Sequence, residues 1–205
     1  MSVADVLSRQ RPRCAQCRRA QRTCICALIQ RVENNVEVLI LQHPLEQNQA
    51  KGSALLLHHC LANSQMQCGE EFAEEQLREW LFAKGKAPVL LYPETGTQQF
   101  SPAITTSDAT QLRLVVLDAT WRKSRKILHR NPLLQTLPRL ALRDTPTSHY
   151  LIRKAHASDQ LSSMEACSYA LTKLENNPEK YAALMQVFDA FIAQMQHQAQ
   201  QHQTL

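Results

Sequence analysis

The sequence predicts an α/β fold with a mostly parallel sheet. Residues 36–42 (VEVLILQ), 88–92 (PVLLY) and 112–117 (LRLVVL) are short, continuous apolar runs. Runs of this length read as strands covered on both faces, since a strand with one wet face would alternate apolar and polar residues. The stretches between them are long enough for the crossovers that parallel neighbours require. Glu70 to Phe82 reads as one such crossover helix, with Phe72, Leu77, Trp80 and Leu81 on one side and five Glu elsewhere.

The later elements follow from the same rules. Trp121, Ser124, Ile127 and Leu128 recur at helical spacing, so the basic residues between them take the exposed part of a helix that Pro132 stops. Leu140–Leu142 and Tyr150–Arg153 are weaker strand signals. Ser162 with Glu165 three positions on is a capping-box pattern, opening a helix to about Leu174. Pro178 opens the last helix, which runs into a tail of Gln and His from Gln194. A chain of 205 residues suits one substantial core rather than two. The expected division is a basic amino-terminal knuckle (1–31), one main domain (32–193) and the Gln/His-rich tail (194–205).

No run of about 18 apolar residues occurs, and Met1 to Arg13 is polar and basic, which reads as neither a membrane span nor a signal peptide. The expected location is the cytoplasm. There, seven cysteines argue against a disulfide framework. Cys14-x-x-Cys17, six residues, then Cys24-x-Cys26 places four thiolates within thirteen residues, the number a closed tetrahedral zinc site needs. With sulfur in all four positions none is left for catalytic water, so the zinc would be structural. An iron–sulfur cluster is the alternative occupant, and four free thiols in a basic arm the bland reading. Cys60, Cys68 and Cys167 are scattered and read as small core residues.

The net charge is +5 and unevenly spread. Before Val32 stand Arg9, Arg11, Arg13, Arg18, Arg19, Arg22 and Arg31 against one acid, Asp5; Arg122, Lys123, Arg125, Lys126 and Arg130 follow with no acid between. Two such clusters suit a large anionic partner better than a small metabolite, although a solvated face is the alternative for the helix. Asp118-Ala119-Thr120-Trp121 sits where the third apolar run meets the basic helix. Ligands of open α/β sheets bind at the carboxyl ends of strands. Equally, Asp118 or Thr120 could cap the helix and Trp121 could be its first core residue. His43 and Glu46 follow the first strand and could share that edge, a structural hydrogen-bonded histidine being the ordinary alternative. The four glycines (52, 69, 85 and 96) form no G-x-G-x-x-G, so an ordinary Rossmann-type methyltransferase loop is not supported.

Asp118-x-Thr120-Trp121 resembles the D-x-T-W signature of the DTW-domain family. Further elements stand in the family's order: the Cys14, Cys17, Cys24 and Cys26 knuckle, Gln42-His43-Pro44 with Glu46, Leu91-Tyr92-Pro93, and Leu161-Ser162-Ser163-Met164-Glu165-Ala166. The likeness covers nearly the whole chain. Leu137-Pro138-x-Leu140 and the last segment are also similar to ribosomal-RNA aminocarboxypropyl-transferring enzymes. Ser163 stands where many DTW members carry Thr.

The resemblance implies a SPOUT-like α/β fold with a carboxyl-terminal knot whose loops hold S-adenosylmethionine. It implies transfer of that donor's aminocarboxypropyl group to N3 of a tRNA uridine, at position 47 of the variable loop, releasing methylthioadenosine. Leu91, Tyr92, Leu140, Tyr150, Leu161 and Ser162 become candidates for the cofactor pocket, with plain core packing as the alternative for the aliphatic ones. Asp118, Thr120 and Trp121 become the catalytic candidates. Asp118 would accept or orient the N3 proton, and Trp121 would exclude water and raise the carboxylate's proton affinity. RNA contacts fall to Arg122, Lys123, Arg125, Lys126, Arg153 and Lys154. The expected partner is tRNA, with no DNA and no membrane, and the target base must be unpaired or extruded. Two other readings stay open: a methyltransferase using the same donor, and a zinc-bearing RNA-binding module without catalysis.

Overall fold

Side-chain alternation along two strands decides how the chain is layered. In β1 (Glu37–Gln42), Val38 and Ile40 enter one apolar core while Leu39 and Leu41 enter another, all four at most 1% exposed. In β4 (Leu112–Asp118), Leu114 and Val116 face the first core and Val115 the second. A strand that is apolar on both sides must have both sides covered, so the sheet lies in the middle. The computed structural model describes residues 12–94, 108–143 and 161–203.

Among the described residues five strands form one sheet in the order β2-β1-β4-β3-β5, every pairing parallel, with β2 at Ser64–Cys68, β3 at Ala87–Leu91 and β5 at Arg139–Leu140. The first face is covered by α1 (Ala54–Cys60), α5 (Ser163–Glu175) and α6 (Pro178–Gln203), through Leu56, Leu57, Met164, Leu171 and Phe188. The second is covered by α2 (Glu74–Phe82), α3 (Trp121–Arg130) and the short α4 (Pro132–Gln135), through Leu77, Leu81, Ile127 and Leu134. Among the described residues no helix is long and apolar enough to cross a membrane.

The predicted α/β class and parallel sheet are what the chain forms; several boundaries differ. The Glu70 segment becomes helical only at Glu74, while Phe72 lies outside the helix with its ring edge-on to Trp80 at 5.6 Å. Left-handed backbone at Lys84 and Gly85 turns the chain into β3. β2 and α1 carried no clear pattern: SQMQC is a polar edge strand, and ALLLHHC is too short to show a periodic face. Cys60 and Cys167 are buried as expected, whereas Cys68 is exposed at the end of β2. Helix α6 passes Gln194, where the tail was expected to begin, and continues to Gln203. The weak strand signal at Tyr150–Arg153 lies outside the described residues.

The two ends of the sheet do different work. At the amino end, buried Arg113 donates to Glu37 and to the Trp80 carbonyl. At the carboxyl end, Gln42 is in register with Asp118, and the His43 N–H donates to the Asp118 carbonyl at 3.0 Å.

Glu175 closes the far end of α5. Its side chain, 3% exposed, accepts from the Asn35 and Val36 N–H groups at 2.7 and 2.9 Å and pairs with Lys180 at 2.6 Å. Burial opposes the charge, but Lys180 and the backbone donors outweigh it and hold this carboxyl below its ordinary value. A carboxyl held low contributes stability above the unfolded pKa, near 4.3, and loses it as pH falls. Glu175→Gln should therefore cost about 1–3 kcal/mol in urea unfolding at pH 7. The gap between wild type and variant should shrink steadily below pH 5.

Candidate functional site

Asp118 ends β4 and is 7% exposed. Its Oδ2 accepts from Gln42 Nε2 at 2.8 Å, a bond between the ends of two paired strands. Its Oδ1 accepts from Ser163 Oγ at 2.5 Å, the first residue of α5. The carboxylate thus joins β1, β4 and the start of α5. The N-cap of α3 is Thr120, whose exposed side chain makes no capping bond.

The capping box fixes where Ser163 stands. Ser162 Oγ accepts from the Glu165 N–H at 3.2 Å, and Glu165 Oε2 accepts from the Ser162 N–H at 2.8 Å, with Glu165 fully buried. The Met164 N–H donates to buried Ser53 Oγ at 3.3 Å. In the sequence Gln42 and Ser163 stand out only as members of motifs. What the sequence lacked was the register that brings residues 42, 118 and 163 together.

Trp121 is 48% exposed and stands edge-on to the Tyr92 ring at 5.7 Å. This corrects one expectation: an indole so exposed is not a core residue. Tyr92 is buried below it, its hydroxyl 3.3 Å from Ser124 Oγ, with the Arg139 guanidinium over its ring at 5.3 Å. Leu91 pairs with Leu140, and the Tyr92 N–H donates to the Leu140 carbonyl at 3.3 Å. Leu91, Tyr92 and Leu140 therefore reach the same sheet edge as Asp118. Leu161 and Ser162 lead into α5, the Ser162 hydroxyl being engaged as the cap. Tyr150, Arg153 and Lys154 lie outside the described residues.

His43 and Glu46 do share this edge, in structural roles. His43 Nδ1 accepts from the Leu45 N–H at 3.1 Å, so the ring's proton is on Nε2, facing Glu70 Oε2 at 2.9 Å. Buried Glu46 pairs with Lys123 at 2.8 Å. Glu70 also takes Lys126 at 2.9 Å and Arg130 at 3.3 Å, and Arg130 takes Glu71 at 3.0 Å. Lys126 and His43 hold the Glu70 carboxyl below its ordinary value. The basic helix, free of acids in its own sequence, is thus matched by acids from the β1–α1 and β2–α2 connections. Arg122 and Arg125 are exposed and form no ion pair among the described residues.

The four knuckle cysteines converge. Cys14 and Cys26 sulfurs are 3.6 Å apart, those of Cys17 and Cys24 3.7 Å, and all four lie within 4.8 Å of one another. A tetrahedron with Zn–S bonds of about 2.3 Å has edges of about 3.8 Å, so the thiols are spaced for zinc. These separations are far too long for disulfides, and all four are free. Backbone N–H groups of Cys17 and Gln16 pull the Cys14 thiol down to about 6. Burial and the surrounding thiols push Cys26 up to about 12. Against the downward pull of the Cys26 backbone N–H, burial and neighbouring thiols raise Cys24 as well. Packed thiols resist ionising together, and a divalent cation removes that conflict.

Protein prepared without chelator should carry one tightly held zinc per chain. Replacing Cys24 and Cys26 together by Ser should abolish it, as read by elemental analysis. Full retention in that variant, or no stoichiometric metal in wild type, would contradict the assignment.

A family model described as the DTW domain matches residues 11–196. The chain is similar to proteins named tRNA-uridine aminocarboxypropyltransferase 2. It is 27% identical to that of Macaca fascicularis over 94% of this chain and 67% of the relative. It is 27% identical to that of Mus musculus over 93% and 66%. It is 26% identical to that of Drosophila melanogaster over 95% and 80%. The matched part is thus about two thirds of the macaque and mouse relatives. No solved structure matches the chain. A match running from the cysteine knuckle through Asp118-x-Thr120-Trp121 and into α6 places the chain in the DTW-domain family.

Proposed function

We propose that this chain is a tRNA-uridine aminocarboxypropyltransferase that uses S-adenosylmethionine as donor. The observation that carries the reading is the doubly held Asp118 carboxylate at the carboxyl edge of the sheet, within the family's signature motif. The names of the three relatives support the same activity.

In the proposed reaction, uridine N3 forms a bond to the γ-carbon of the donor's aminocarboxypropyl chain, the chain carbon bonded to the sulfonium. The carbon–sulfur bond breaks, its electron pair stays on sulfur, and neutral methylthioadenosine leaves. The N3 proton must also go. Asp118 accepts or orients it, with Gln42 and Ser163 fixing the carboxylate's direction. Three carbons surround the sulfonium, so geometry selects the one attacked. Leu91, Tyr92, Leu140, Leu161 and Ser162, with Tyr150, are the proposed donor pocket, and Thr120 and Trp121 lie beside it. The four thiolates of Cys14, Cys17, Cys24 and Cys26 would hold a structural zinc, which fixes the knuckle's shape and takes no chemical part.

A carboxyl-terminal knot of the SPOUT type belongs to this reading through the family resemblance, and an all-parallel sheet with the motif at its carboxyl edge is compatible with it. The setting is cytoplasmic, and the target a variable-loop uridine, position 47. Within α3, Arg122 and Arg125 are the proposed phosphate contacts; Lys123 and Lys126 are neutralised in place. Arg153 and Lys154 remain proposed contacts on sequence grounds.

Asp118→Asn keeps a hydrogen-bonding side chain and removes the base. Transfer to uridine and methylthioadenosine release should fall together by at least about a hundredfold, with folding and donor binding retained. Transfer at the wild-type rate would move the proton acceptor elsewhere.

Replacing Arg122 and Arg125 by Gln should flatten the salt dependence of tRNA binding by about two units of slope. Lys126→Gln with Arg130→Gln should leave the slope nearly unchanged, because their charges are already matched by Glu70 and Glu71. The opposite ranking would contradict the assignment.

A further inference from the structure

Arg19 lies inside the cysteine knuckle but is used outside it. Its backbone belongs to the knuckle, where the Cys14 N–H donates to the Arg19 carbonyl at 2.8 Å, next to Arg18 in left-handed backbone. Its guanidinium reaches the β1–α1 connection: Nη1 donates to the Ala50 carbonyl at 2.8 Å and Nη2 to the Gly52 carbonyl at 2.6 Å. The same group lies over the Phe191 ring of α6 at 5.3 Å, and Phe191 is 1% exposed. Two further bonds seat the knuckle on α6, from Gln194 to the Cys24 carbonyl at 2.9 Å and from Gln198 to the Arg22 carbonyl at 2.7 Å.

The segment that Arg19 grips leads straight to the site. Gly52 is followed by Ser53, whose buried hydroxyl accepts the Met164 N–H, and Met164 is followed back by Ser163, which donates to Asp118. At its other end the same connection carries Glu46, paired with Lys123 of α3. Turns within it are tight: the Gln49 N–H donates to the Glu46 carbonyl and the Gly52 N–H to the Gln49 carbonyl. A Cβ on Gly52 would stand 3.2 Å from that Gln49 oxygen, so the last turn has little slack.

We propose that Arg19 is a positioning residue that couples the metal-holding knuckle to the Asp118 site, through Ala50, Gly52, Ser53 and Met164. A guanidinium is suited to the task because its rigid fork satisfies two carbonyls at once while its face stacks on an aromatic ring. Lysine has three donors but neither the rigid planar fork nor the flat face, so it cannot keep both carbonyls in this geometry while stacking on Phe191. The folded knuckle presents Arg19 at a fixed place; loss of its metal releases that placement and loosens the start of α5. The relay rests on the reading of Asp118 as the site.

The test compares wild type, Arg19→Lys and Arg19→Met by amide hydrogen exchange, each with zinc and after chelation. In zinc-loaded wild type the Gly52, Met164 and Glu165 amides should be protected. Chelation should speed their exchange about tenfold, the loss expected when a charged hydrogen-bonding partner is released. Zinc-loaded Arg19→Met should show the faster exchange already, with a full equivalent of metal, and chelation should add nothing at these amides. Arg19→Lys should fall close to Arg19→Met. Protection at these amides in zinc-loaded Arg19→Met equal to wild type would overturn the proposal, as would a chelation effect of the same size in both proteins. If a variant does not fold, chelated wild type alone decides: unchanged exchange at Met164 and Glu165 overturns the relay. Because exchange is read without turnover, the relay can stand where uridine transfer fails, and transfer can stand where the relay fails.

Discussion

The Asp118 carboxylate is the point at which the chain's separate parts meet. One oxygen is held by Gln42 at the end of β1 and the other by Ser163 at the start of α5, segments 76 and 45 residues away. A buried carboxylate is costly unless its oxygens are satisfied, so these donors must be brought to it and kept there. Much of the architecture at this edge serves that end. The β1–β4 register sets Gln42 opposite Asp118, the capping box fixes the first turn of α5, and Ser53 anchors Met164 beside Ser163. A carboxylate so held keeps its direction, which a surface carboxylate on a loop would not, and this is what the proposed role as proton acceptor requires.

Charge is organised around the same edge. The basic α3 could have been a free polycationic face. Glu46 and Glu70 instead draw Lys123, Lys126 and Arg130 toward the body of the protein, and Glu70 also fixes His43. These contacts tie the turn after β1 to the helix after β4 across the top of the sheet. Arg122 and Arg125 are left outward, where a polyanion can reach them. The helix therefore has an inner side paired to the body of the protein and an outer side that carries the proposed phosphate contacts.

The sequence made the strongest elements plain. The apolar runs of β1, β3 and β4 required coverage on both faces, and four clustered cysteines could be read as a metal site from spacing alone. β2 escaped because an edge strand half in water can be polar, and α1 because two turns cannot display a period. The motifs marked the candidate site but not its connections. Nothing local to Gln42 or Ser163 says that they touch Asp118, since that depends on strand register and on where α5 begins. Trp121 read as the first core residue of α3 because tryptophan usually buries; here Tyr92 and Ser124 lie beneath it and the indole stands half exposed. The pairing of α3 was invisible for the same reason, its acids lying more than fifty residues upstream in sequence and beside it in space.

The most direct test follows two labels through one reaction. Unmodified tRNA would be incubated with the protein and S-adenosylmethionine carrying carbon-13 in the aminocarboxypropyl chain and deuterium in the methyl group, then digested to nucleosides for mass spectrometry. A single uridine should carry the chain carbons and no deuterium, with an equal amount of methylthioadenosine retaining the deuterated methyl. Deuterium on the RNA with adenosylhomocysteine as by-product, or RNA bearing neither label, would contradict aminocarboxypropyl transfer.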